Sequence, residues 1–138
     1  MEKSIFKTGK TVEAALEEAL KELNLNYKCW GNIEATQMPE MLNCVDVLVL
    51  PSKNEGLPLI TIEALACGAN VVGSNVGGIS EAIGIENVFD LNSTFIEAIS
   101  DRIIQMLTTD VQQTLLNKFN WESTAEKEYS LYKKILKI

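Results

Sequence analysis

Glu55 and Glu63 are the residues whose type and spacing suggest chemistry. They stand eight positions apart, the first in an Asn-Glu-Gly-Leu-Pro loop and the second about one turn into the segment that follows. An apolar run at 45–50, strand-sized and rich in Val and Leu, leads into the loop, and Pro58 stands near the first turn of a helix that stops at Gly68. Both carboxylates are thereby placed at one rim of a sheet. In a doubly wound sheet the rim at the carboxyl ends of the strands is where ligands bind. A helix start there offers free N–H groups and positive potential to phosphate, with Leu57, Leu59 and Ile60 as the donors. Carboxylates repel phosphate but suit the hydroxyls of a ribose or hexose as bidentate acceptors. A nucleotide sugar carries both kinds of group. For an arbitrary pair of glutamates, a loop charge and a helix-surface residue are the simpler account.

The composition removes several other chemistries. With no His among its 138 residues, the chain lacks Ser-His-Asp and Cys-His pairs, the commonest zinc ligand and the usual acid/base at neutral pH. Neither a metal ion nor a bound cofactor is implied. Cys29, Cys44 and Cys67 are far apart, odd in number and without a CxxC pair, so they suggest a reducing, cytoplasmic interior rather than a disulfide framework or zinc site. Twelve Lys and Arg against nineteen Asp and Glu leave a net charge of -7 and no basic stripe, which disfavours a nucleic-acid partner. Thr8-Gly9-Lys10-Thr11 ends like a phosphate-binding P-loop, but Ser4 stands where that loop needs glycine. No apolar run approaches the roughly 20 residues of a membrane span.

The length fits one domain of ordinary size, and 46% hydrophobic residues are enough for a core. Apolar residues at Val12, Ala15, Leu16, Ala19, Leu20 and Leu23 recur at three and four, which predicts an amphipathic helix over 11–25. Short strands are expected at 4–7 and 26–30, a short helix at 38–44, and buried strands at 45–50 and 70–73. Between the last two lies the helix 59–67. Gly77-Gly78 forms a turn, and a helical turn at 80–83 precedes an extended piece at 87–91. Three helices are then expected: one capped by Ser93, one running from Asp110 towards Phe119, and one capped by Asn120. Strands alternating with helices predict an α/β fold, a three-layer Rossmann-like parallel sheet of four to five strands, closed by a helical C-terminal tail.

The stretch from 45 to 83 resembles closely the E-x7-E segment of the family 4 (group 1) retaining glycosyltransferases. It contains V-D-V-L-V-L-P-S, then E-G-L-P, E-A-L-A-C-G and V-V-G-S-N-V-G-G-I-S-E. Cys44-Val45-Asp46 looks like the usual entry to that strand, Gly31 like the glycine ending the strand before it, and Trp121-Glu122 like the start of the family's terminal helix. The resemblance covers 31–138, with 1–30 an atypical β-α-β start. It implies the C-terminal, donor-binding lobe of the two-lobed GT-B fold, serving transfer of a glycosyl group from a nucleoside diphosphate hexose to an acceptor hydroxyl. By that resemblance Glu63 holds the ribose hydroxyls, Glu55 is the catalytic residue facing the donor hexose, and the backbone of Gly56, Leu57, Leu59 and Ile60 cradles sugar and diphosphate. Gly77 and Gly78 are read first as structural.

The family's lobe normally opens with a G-R strand end and a K-G whose cations neutralise the diphosphate. Lys7, Lys10 and Lys28 do not align with them, and nothing corresponds to the acceptor lobe, so the partners implied are a donor and an acceptor-binding lobe or subunit. A homo-oligomer, and a peripheral membrane contact through the missing lobe, are compatible with this. Two alternatives share the features: a lobe of a sugar-nucleotide 2-epimerase and a non-catalytic nucleotide-sugar-binding or scaffold module.

Overall fold

A computed structural model describes residues 5–7, 12–28, 32–114 and 119–137. The sheet grows from its most apolar sequence. β3 (Val47–Leu50) is buried at all four positions and β4 (Asn70–Ser74) at all five. Val47 and Val49 point to one face of the sheet, and Leu48 and Leu50 to the other, each pair joining a separate apolar cluster. The period-two alternation of side chains requires that division, and both faces must then be covered.

Among the described residues five strands form the sheet in the order β2-β1-β3-β4-β5, with β1 at Ile5–Lys7, β2 at Tyr27–Lys28 and β5 at Val88–Phe89. All four pairings are parallel, and β3 meets β4 in the register Val47↔Asn70 to Leu50↔Gly73. On one face lie α1 (Val12–Glu22) and α5 (Phe95–Thr108), whose Leu16, Leu20, Phe95, Ile99 and Ile103 pack on Val47, Val49 and Val72. On the other lie α2 (Met38–Leu42), α3 (Leu59–Ala66) and α4 (Ile79–Ile83), which cover Leu48, Leu50 and Val71. The result is the expected three-layer α/β arrangement. The last helix, α6 (Trp121–Leu136), begins at Asn120, whose side chain accepts the Ser123 N–H at 2.7 Å as an N-cap.

Two expectations are corrected. The helix placed from Asp110 towards Phe119 is absent over 110–114, which run without regular structure, while 115–118 lie outside the described residues. The cause is a competing set of hydrogen bonds from β4. β5 pairs only with Gly73 and Ser74, leaving the N–H and C=O of Val71 facing no strand. Gln113 fills that place: its Oε1 accepts the Val71 N–H, and its Nε2 donates to the Val71 carbonyl at 2.9 Å. Asn70 Nδ2 donates to the Val111 carbonyl at 2.9 Å, and Asn70 Oδ1 accepts the Gln113 N–H at 2.8 Å. Buried backbone groups must be satisfied, so the segment is held against the strand instead of coiling into a helix. The second correction concerns α5, whose N-cap is Thr94 rather than Ser93. Asn92 organises that turn by accepting both the N–H and the hydroxyl of Thr94. The turn at 8–11 and the glycine at Gly31 lie outside the described residues.

Candidate functional site

The strand order turns back between β1 and β3, since the chain steps from β1 to β2 on one side and then continues through β3, β4 and β5 on the other. Crevices open at the carboxyl ends of strands where such a reversal occurs. β3 ends there, and its carboxyl end leads directly into the loop that carries Glu55. Pro51 and Pro58 are buried at the two ends of the loop, Glu55 is half-buried, and Gly56 and Leu57 are exposed.

Pro58, at φ -72 and ψ 116, is the N-cap residue of α3. Thr61 closes the first turn, with its N–H at 3.1 Å and its buried hydroxyl at 2.7 Å from the Pro58 carbonyl. Among the described residues no side chain caps this end; Leu59 and Ile60 are the first helical residues, and amides at these positions have no intrahelical acceptor. Leu59 is 68% exposed, which leaves the helix start open to solvent. Glu63 lies four residues further, about 6 Å along the axis, and is exposed. One continuous segment thus brings Glu55, the amide-bearing start of α3 and Glu63 to the same rim.

The neighbouring loop holds this segment in place. Gly77 sits at φ +53, and Gly78 donates its N–H to the Gly56 carbonyl at 2.5 Å. A side chain at Gly77 would overlap the backbone of Glu55, so the two loops touch main chain to main chain. The structural reading of the glycine pair agrees with this contact. Below it, the buried hydroxyl of Ser74 donates to the Ser52 carbonyl. Beyond β4 the Asn75 N–H donates to the Phe89 carbonyl at 2.8 Å, and Asn75 Nδ2 to Asp90 Oδ1 at 2.9 Å. The loops after β3, β4 and β5 are therefore tied in series along the rim.

Sequence reasoning singled out the carboxylates and the glycines but missed Ser74 and Asn75. Their signal was available, because polar residues that end an otherwise apolar strand need partners at its mouth. Among the described residues no cluster of three His, Cys, Asp or Glu is arranged to hold a metal ion, and no helix is long and apolar enough to cross a membrane.

The profile of the glycosyl transferases group 1 matches residues 5–109. The chain belongs to that family. The match begins at β1, so the atypical first β-α-β unit falls within it. An uncharacterized glycosyltransferase of Methanocaldococcus jannaschii is 26% identical over 130 residues, which are 86% of this chain and 33% of that protein. The UDP-Gal:alpha-D-GlcNAc-diphosphoundecaprenol alpha-1,3-galactosyltransferase of Escherichia coli is 28% identical over 134 residues, covering 83% of this chain and 34% of the relative. Among solved structures, the sucrose-phosphate synthase of Thermosynechococcus elongatus superposes with a TM-score of 0.60 at 24% identity, over 98% of this chain and 38% of the other, a likeness of fold. The group 1 glycosyltransferase chain described here spans about a third of the length of these curated relatives.

Proposed function

We propose that this chain is the donor-binding lobe of a retaining glycosyltransferase, and that a nucleoside diphosphate sugar lies across the rim formed by the Glu55 loop and the start of α3. The observation that carries the proposal is the placement of Glu55, the uncapped helix start and Glu63 on one segment at the switch point, in a member of a glycosyltransferase family. Glu63 accepts hydrogen bonds from the ribose hydroxyls. The amides from Gly56 to Ile60 face the diphosphate and sugar, where the positive end of the helix offsets their charge. Glu55 faces the hexose and steadies the positive charge that develops on the ring as the leaving diphosphate departs.

Such a site works by positioning and electrostatics and needs no protein nucleophile. In retaining transfer the departing diphosphate stays close to the incoming hydroxyl and takes its proton, which suits a chain with no His to serve as base. The acceptor is held by a second lobe or subunit that closes over the donor, so this lobe binds donor but completes no turnover by itself.

Isothermal calorimetry with UDP, GDP and ADP sugars, comparing the native chain with Glu63→Ala, tests the reading. UDP sugars come first, because one relative has UDP-Gal in its name. Binding of one nucleotide class, weakened about tenfold or more by the substitution, is expected if two charge-assisted hydrogen bonds are lost. Equal behaviour of both proteins towards every nucleotide would remove the pocket from consideration.

A further inference from the structure

Where β3 and β4 begin to run side by side, the Asn70 N–H donates to the Asp46 carbonyl at 2.9 Å. Carbonyls of alternate residues face the same neighbouring strand, so the next in the series are those of Leu48, Leu50 and Ser52. At this spacing the Ser52 carbonyl would fall to the Val76 N–H. That N–H turns back to the Ser74 carbonyl at 3.0 Å instead, because β4 has ended. A side chain takes its place: Ser74 is 0% exposed, and its hydroxyl donates to the Ser52 carbonyl, with the Leu50 carbonyl at 3.5 Å.

Ser52 opens the loop that reaches Glu55 three residues later. Lys53 and Asn54 between them are exposed, and among the described residues the Glu55 carboxylate makes no hydrogen bond or ion pair. Where that carboxylate stands is therefore decided by its backbone. The backbone is held at two points, at Ser52 by the Ser74 hydroxyl and at Glu55 and Gly56 by the Gly77-Gly78 turn.

We propose that Ser74 is a positioning residue of the donor site, whose hydroxyl holds the Glu55 loop in the geometry that a nucleoside diphosphate sugar requires. The proposal rests on the reading of this rim as the donor site. Alanine at this position keeps the strand, since backbone groups make the ladder, but leaves the Ser52 carbonyl without that donor and frees the first half of the loop. A loop that then spends only about a fifth of its time in the anchored geometry binds donor about fivefold more weakly. Threonine keeps the hydroxyl and suits a strand.

Amide NMR spectra of the 138-residue chain test the anchor without ligand. In Ser74→Ala the Lys53 amide shifts whatever the loop does, because it shares a peptide group with the Ser52 carbonyl. The Glu55 and Gly56 amides should shift too. A variant that is merely less stable keeps native shifts at those two residues in its folded population. Ser74→Thr should restore them. Calorimetry with UDP, GDP and ADP sugars should then show the fivefold loss for Ser74→Ala and native affinity for Ser74→Thr. The control is Ser100→Ala, which removes a buried hydroxyl of α5 that has no partner among the described residues, and it should change neither readout. Unmoved Glu55 and Gly56 amides in Ser74→Ala, native affinity in that variant, or equal losses in the alanine and threonine variants would each overturn the proposal. A native chain that binds no nucleotide sugar would overturn the donor reading and with it this role for Ser74, a failure told apart from the others because the Glu55 and Gly56 amides would still shift.

Discussion

Gly77 and Glu55 meet main chain to main chain: a Cβ on Gly77 would overlap the carbonyl of Glu55. The contact joins the turn after β4 to the loop that carries the candidate catalytic carboxylate. It ties two surface loops to each other, together with the Gly78 N–H donated to the Gly56 carbonyl.

Gly77→Ala combines an unfavourable positive φ with a backbone collision that no rotamer relieves. A loss of about 1–3 kcal/mol is expected from urea unfolding. Donor binding should weaken as well, since the Glu55 loop must shift to admit the methyl group.

Gln113 acts as a substitute strand for Val71. Gln113→Leu leaves two backbone groups of a central strand without partners, for an expected loss of about 1–3 kcal/mol. The neighbouring exposed Gln112→Leu should stay within about 0.5 kcal/mol of the native chain. Parallel urea titrations compare the two, and equal effects would deny Gln113 its bridging role.

Because Glu63 is exposed, Glu63→Ala should move the unfolding midpoint little, within about 0.5 kcal/mol. A thermal melt that is unchanged while calorimetric affinity falls separates a binding role from a structural one.

In a complete enzyme containing this lobe, Glu55→Ala should lower turnover more than donor affinity, since an interaction strongest in the transition state mainly raises the chemical rate. Glu63→Ala should chiefly raise the donor KM. NMR assignment of the product anomer should give retention, and an inverted product would refute the mechanism whatever the mutants do.

The sequence by itself determined the layers and the location of the candidate site. The apolar residues within 45–50 and 70–73 fall on both faces of their strands and can be satisfied only between two covering layers, and that demand is local enough to read from a string. The loop between them placed Glu55 and Glu63 on one rim, because eight residues containing a proline-opened helix leave little freedom. Helix propensity over 110–114 misled, since the backbone need of Val71, some forty positions away, outweighed it. No local pattern records that β5 is too short to reach Val71, or that the Gly77 turn presses on the Glu55 loop. Those facts depend on where strands end relative to one another in space, and only the tertiary structure decided them. The same holds for α6: its apolar stripe is plain in the sequence, but that none of its residues is buried is a property of the packed chain.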